Sequence, residues 1–237
     1  EATKINTIVK AIRYSNSNIV INCMEGDWNY QVFKVCARLG VNCIDLGSEI
    51  PVTKKQFSLS KAYQKKNRVG ITGIGSVPGI GNIMLAYAAA KFDSITNIDV
   101  GFAWDSNIKQ FVVPFSIGSV LWEFTDRAPV VKNRHFVYTV PLQHVKKGYH
   151  HFIGREEEMF VRHPEQYTFL HYFKNKGVRN IRFYAGFPHH SFTMIVNLIK
   201  LGFAEQKPID YMGKKIWPVD FLTEMLKNLG SPPGYKE

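Results

Sequence analysis

An α/β layer passing into an α+β layer is the fold class this sequence predicts, on three observations. Short apolar runs alternate with helix-period runs over the first third of the chain. Strand-like runs dominate after Gly79, broken by a few helices. The composition, 45% hydrophobic and 21% charged, is that of a globular chain rather than a disordered one. The expected architecture is therefore a partial parallel sheet with right-handed crossovers, followed by a mostly antiparallel sheet with helices.

Ile5, Ile8, Val9 and Ile12 recur at helical spacing and predict an amphipathic helix. Residues 18–24 (NIVINCM) are a β-branched run of strand length. Val32, Val35, Cys36 and Leu39 then mark a helix over 29–39, with Gly40 as its stop. A second strand is expected at 41–46, a basic helix at 57–67 and a third strand at 69–74. After Gly79 comes an alanine-rich helix over 80–92. Strands follow at 95–103, 128–132, 136–140, 149–153, 158–162 and 178–184, with Lys132-Asn133-Arg134 as a hairpin turn. Helices are expected near 117–124, 167–173, 191–201 and 219–229, and Ser231-Pro232-Pro233-Gly234 closes the structured part.

The formal charge of +11 raises nucleic acid or an anionic membrane as partners, but the basic residues are scattered. Lys54-Lys55, Lys65-Lys66, Lys146-Lys147 and Lys214-Lys215 are pairs, which reads as solvated faces, and an anionic cofactor would also favour a positive surface. Neither nucleic acid nor membrane is expected. No apolar run reaches the roughly 18 residues of a membrane span, and residues 1–10 lack a signal-peptide pattern, so a cytoplasmic protein is expected. Cys23, Cys36 and Cys43 are odd in number, without CxxC, which argues against a disulfide framework. Cys23 and Cys43 read as small buried hydrophobes; a catalytic thiol would need an exposed, electropositive setting.

The most conspicuous motif is Gly73-Ile-Gly75-Ser-Val-Pro78-Gly79, between a strand and a helix. Glycines in that setting let backbone approach a diphosphate at a helix N-terminus, and Asp99 follows about 20 residues on. Three features oppose this. Pro78 removes an amide the loop would need, the motif opens the last βα unit rather than the first, and the segment after Asp99 continues as strand. The other reading is a tight turn in which Pro78 sets the first helical turn. No HExxH or related spacing predicts a metal, and His150-His151 in a strand would point to opposite faces. Ser116 and Ser191 lack a nucleophile elbow, so hydrolase chemistry is not supported.

Residues 18–24 and 29–39, then Gly40-Val-Asn-Cys-Ile-Asp45-Leu46, then Gly70-Ile-Thr-Gly73 and Val77-Pro78-Gly79-Ile80-Gly81-Asn82 resemble the latter half of the Rossmann domain in the saccharopine dehydrogenase-like family. Asn42 and Cys43 stand where that family often has His and Tyr. Downstream, Ser116-Ile-Gly-Ser-Val-Leu121-Trp-Glu123-Phe with Ala128-Pro129-Val130 resembles its lysine dehydrogenase-like branch. Arg179-Asn-Ile-Arg182-Phe-Tyr184-Ala-Gly186-Phe-Pro188-His189 does so too. Homospermidine and carboxynorspermidine synthases share parts of the set.

The resemblance implies a truncated Rossmann half over 1–82, an α+β substrate and dimerisation domain over 83–237, and a last helix (218–229) packing back on the Rossmann half. It implies NAD or NADP as cofactor, hydride transfer at an amino-bearing carbon of an amino acid, and a homodimer. The family's first strand and Gly-rich turn would precede Glu1, so a portion of a longer enzyme is expected. On the cofactor side the resemblance places Asn22, Cys23 and Met24 at the nicotinamide ribose, and Asp45, Val77, Pro78, Gly79 and Asn82 at the nicotinamide. These are ends of parallel strands, where ligands bind in open sheets. Arg182 is the expected partner of a substrate carboxylate, with Ser116 beside the substrate and Asp105 or Glu123 for its ammonium group. His189, at a helix start, and Glu123 are the candidate acid/base residues. The bland readings are a solvent arginine, a surface acid and a capping histidine. Two other functions compete: a non-catalytic binding or dimerisation module, and a polyamine-type synthase that reduces an imine.

Overall fold

The computed structural model describes residues 4–24, 26–47, 49–104, 108, 110–112, 117–229 and 232–235. The chain divides into two units, Glu1–Ile98 with Val131–Arg134 and Arg162–Ile181, and Asp99–Val130 with His135–Val161 and Arg182–Glu237. In chain order the elements begin α1 (Ile5–Ser15), β1 (Ile19–Asn22), α2 (Asn29–Leu39), β2 (Asn42–Asp45), α3 (Ile50–Phe57), α4 (Ser60–Lys65), β3 (Gly70–Ile71) and α5 (Ile80–Ala89). Next come β4 (Asn97–Ala103), α6 (Ile117–Thr125), β5 (Ala128–Lys132), β6 (His135–Thr139), β7 (Lys146–His150) and β8 (Gly154–Phe160). The last are α7 (Glu165–Phe173), β9 (Asn180–Phe187), α8 (His189–Lys200), β10 (Ile209–Tyr211), β11 (Lys214–Ile216) and α9 (Pro218–Lys227).

In the first unit β1, β2 and β3 form a parallel sheet in sequence order, as the βαβ pattern predicts. Val20 pairs with Cys43, and Cys43 with Gly70. α2 buries Val32, Phe33, Val35 and Cys36 on this sheet, joined by Ile12 of α1 and Tyr63 of α4. Each large apolar side chain removed from water there contributes about 2–3 kcal/mol. The Tyr63 hydroxyl donates to the Phe33 carbonyl at 2.9 Å, and the two rings meet edge to face. A side chain at Gly70 would lie 3.0 Å from the Phe33 ring, so β3 has glycine at this point. Gly40 ends α2 in the left-handed conformation, φ 73°. On this sheet Ile19, Ile21 and Ile71 are 47%, 64% and 44% exposed.

The six-stranded sheet runs β6-β5-β9-β8-β7, with β4 also on β9, and the unit division passes through β4, β5 and β9. Pairing is antiparallel between β5 and β9, β8 and β9, and β7 and β8. In the second unit α6 buries Val120, Leu121 and Phe124, and the Phe124 ring packs on Phe187 and Phe192 at 5.0 and 5.3 Å. No described helix is long and apolar enough to cross a membrane.

Some expected elements change. The helix expected at 57–67 is the shorter α4, and a further helix, α3, precedes it; Ser58 and Ser60 turn their hydroxyls back onto the carbonyls of Lys55 and Phe57 where the two meet. Pro51 opens α3, where its missing amide costs nothing. The β10–β11 hairpin was not expected, since its turn has Met212 at φ 52° before Gly213 rather than Asn-Gly. His150 ends β7 and His151 lies in the turn beyond, so the two do not share a strand. Cys23 is exposed just past β1 rather than buried, whereas Cys36 and Cys43 are buried. Their mutual hydrogen bond and burial push the Cys43 thiol upward, so it stays neutral and is no activated nucleophile.

One buried carboxylate fastens the first unit. Asp45, fully buried at the end of β2, accepts from the amides of Gly47 and Gly73 at 2.8 and 2.9 Å. It also accepts from the Thr72 hydroxyl at 3.2 Å and the Gln56 side-chain amide at 2.5 Å. Gln56 Oε1 accepts from the same Thr72 hydroxyl at 2.9 Å, so that one proton is shared between Gln56 and Asp45. The turn that follows is closed by the Gly75 amide on the Pro78 carbonyl at 2.8 Å and by the Ile80 amide on the Gly75 carbonyl at 3.1 Å. Gly79 has φ 142°, and a Cβ there would fall 2.0 Å from the Gly75 oxygen.

Asp45→Asn puts an amide where only acceptors fit, and should lower unfolding stability by about 2 kcal/mol in urea titrations. An unchanged midpoint would remove Asp45 from this role. Gly79→Ala should cost about 3 kcal/mol or more in the same experiment, since neither the φ nor the backbone contact tolerates a methyl group.

Candidate functional site

A cleft of about 650 Å³ opens in the first unit beside β3 and beyond its carboxyl end. That size suits a small ligand, and the location is where open parallel sheets bind theirs. Its walls are Gly70 to Gly75, Pro78 to Ile80, Asn82, Ile83 and Ala86 on one side, Thr53 and Phe57 of α3, and Pro164, Thr168, Tyr172 and Phe173 at α7. The Phe57 ring is boxed by Tyr167, His171 and Tyr172 at 5.4, 5.1 and 6.1 Å. Burial, first, raises the Tyr167 hydroxyl above its ordinary value.

The polar groups of the cleft are few. The Thr168 hydroxyl donates to Asn82 Oδ1 at 2.9 Å, which fixes that amide and leaves its Nδ2 as an available donor. Thr53 is 1% exposed, and its hydroxyl has no hydrogen-bond partner among the described residues. Behind the start of α7, Glu165 is fully buried, with one oxygen 2.6 Å from His163 Nδ1 and the other without a hydrogen bond among the described residues. Arg162 pairs with Glu49 at 3.2 Å.

Of the residues expected on the cofactor side, Pro78, Gly79 and Asn82 line the cleft. Asp45 lies behind its wall and spends its oxygens on Gly47, Gln56, Thr72 and Gly73. Asn22 is buried at the end of β1, where its Nδ2 donates to Asn29 Oδ1 at 2.6 Å and Asn29 in turn donates to the Gly47 carbonyl at 2.7 Å. Cys23 and Met24 are exposed beyond that strand, and Val77 is half-buried in the turn without lining the cleft. The first three amides of the glycine motif are not open to phosphate. The amides of Gly73, Ile74 and Gly75 are taken by Asp45 Oδ1, the Asp45 carbonyl and the Pro78 carbonyl.

In the second unit Arg182 and His189 already have partners. Arg182 grips Asp99 with two bonds of 2.6 Å, and the hydrogen bond to Asp99 raises the guanidinium value further. The fork that was expected to hold a substrate carboxylate is occupied by a protein carboxylate. His189, the first residue of α8, is exposed, with Nδ1 2.8 Å from Glu157 Oε1. Glu123 is half-buried on α6. Asp105 and Ser116 lie outside the described residues. Among those described, no cluster of three or more His, Cys, Asp or Glu side chains could hold a metal. Thr53, Gln56, Phe57, Thr72, Thr168 and Tyr172 were not singled out from the sequence. Thr168 and Tyr172 stand one helical turn apart on α7, the only local signal that they share a face.

No family model matches the chain. Among curated proteins, carboxyaminopropylagmatine dehydrogenase of Synechocystis sp. is 25% identical over 236 residues, 95% of this chain and 58% of that protein. Among solved structures, apo histidine-tagged saccharopine dehydrogenase (L-Glu forming) from Saccharomyces cerevisiae aligns with a TM-score of 0.65 and 12% identity. That alignment covers 88% of this chain and 50% of the yeast chain, so the chain spans about half the length of the relatives it matches. The structural likeness shows the fold, a Rossmann-like parallel half with a separate antiparallel sheet. Fold and sequence likeness together support a saccharopine dehydrogenase-like family for this chain.

Proposed function

We propose that the chain is the substrate-side portion of an NAD(P)-dependent oxidoreductase acting at an amino-bearing carbon. The observation that carries this reading is the cleft beyond β3, walled by the Pro78, Gly79 and Asn82 that the motif resemblance assigns to the nicotinamide. The dehydrogenase names of the two relatives support an oxidoreductase.

The residues present fit one end of such a cofactor and not the other. A flat ring suits the apolar wall of Ile71, Ile74, Ile80 and Ile83, and the Asn82 Nδ2 donor suits a carboxamide. A diphosphate finds the amides of residues 73–75 already taken, so its cradle has to come from outside those three residues. When bound, the nicotinamide supplies the hydride chemistry. The chain's own part is to exclude water with the isoleucines and Phe57, and to hold Asn82 in one orientation through Thr168. A binding module without a complete cofactor site is the second reading, favoured by the occupied amides of residues 73–75.

The test is an assay of the enzyme that carries this chain, with NAD and NADP against lysine, saccharopine and agmatine-derived amines, following reduced nicotinamide by absorbance. Activity is expected with at least one pairing, and Asn82→Ala should lower kcat/KM by roughly 10- to 100-fold. Absence of nicotinamide binding, read from Trp28 fluorescence on cofactor titration, would favour the second reading.

A further inference from the structure

The cleft has a neighbour of opposite character. A smaller depression of about 260 Å³ shares Phe57, Gly70, Thr72 and Tyr172 with it and continues toward the amino end of β3. The large chamber is lined mainly by isoleucines and aromatic rings, the small one by Ser60, Gln64, Arg68 and His171 among others. Arg68 is the one residue of permanent charge on the described walls of either chamber, and no Asp or Glu lines them.

Arg68 is also held in place. Its Nε donates to the Gly40 carbonyl at 2.7 Å and its Nη1 to the Asn67 carbonyl at 3.0 Å, while Nη2 has no acceptor among the described residues. Both restraints are backbone oxygens, so the positive charge is not neutralised by a carboxylate. This contrasts with Arg182, whose fork is closed on Asp99.

We propose that the two chambers bind one elongated ligand, its apolar body in the larger chamber and a terminal carboxylate on Arg68 in the smaller. The proposal rests on reading the cleft as the active-site cleft of the proposed enzyme, with the ligand's apolar body lying beside the nicotinamide in the larger chamber, and it makes Arg68 the specificity-determining residue for a carboxylate-bearing substrate. The reasoning is charge complementarity. An isolated guanidinium with a free N–H beside an uncharged groove attracts an anion, and no wall carboxylate exists to receive an ammonium or guanidinium ligand. An apolar body follows from the isoleucine walls, which would strand a polyhydroxylated ligand without partners.

Octanoate, 1-octanol and octylamine serve as probes of one length and three head groups, measured by isothermal calorimetry on the chain without cofactor. Octanoate should bind about 10-fold more tightly than octylamine, the value of one charge-assisted hydrogen bond. Arg68→Gln should abolish that preference while leaving 1-octanol unchanged, and Arg68→Lys should restore part of it. Ala86→Trp, from an exposed position on the cleft wall, should weaken octanoate and 1-octanol alike. Circular dichroism confirms that each variant is folded. Equal affinity for octanoate and octylamine, no octanoate binding, or octanoate binding indifferent to Arg68→Gln and Ala86→Trp would each overturn the proposal. Because no nicotinamide is present, these outcomes are separate from the cofactor titration, which can fail or succeed independently.

Discussion

The geometry of the first unit depends on a buried carboxylate whose partners are all neutral donors. Asp45 ends β2, and its two oxygens reach the loop toward α3, the body of α3 and the exit of β3. Taking a carboxylate out of water is tolerable only when its lone pairs are filled, and here four donors fill them. The result is that Thr72 and Gly73, which form the floor of the cleft, cannot drift from α3, which forms its side. The two glycines whose amides Asp45 holds, Gly47 and Gly73, then let the Pro78 ring come within contact of the same loop. The cleft is thus a by-product of a latch rather than a cavity left between independently packed pieces.

The parts of the fold that were legible in the sequence are those with local causes. α2 was expected over its observed span because its apolar spacing and Gly40 stop are both short-range signals. The glycine motif forms a turn, as one of its two readings had it, but Pro78 lies ahead of the N-cap Gly79 rather than in the first turn of α5. Helix α3 was missed, because its eight residues IPVTKKQF carry little apolar periodicity and the serines that end it set the expected helix start too late.

The cleft itself was half legible. Pro78, Gly79 and Asn82 were read from the family resemblance, but the opposite wall is α7, which returns from far along the chain: Thr168 reaches Asn82 across 86 residues. No local pattern announces such a contact. Arg182 shows the reverse error. Its residue type suits carboxylate binding, yet its partner Asp99 lies 83 residues away, and only the fold reveals that the fork is already engaged. Residue chemistry nominates candidates, and long-range pairing decides which remain available.

The exposed isoleucines of the parallel sheet bear on how the first unit acquires its structure. Pairing Ile19 with Asn42 and Cys43 with Gly70 requires each strand to wait for an intervening helix to form and fold back. Such non-local pairing raises contact order and slows the search. Throughout that interval Ile19, Ile21 and Ile71 remain in water, and in the folded first unit they are still about half exposed. Self-association therefore competes with folding at every stage, so the yield on refolding falls as protein concentration rises.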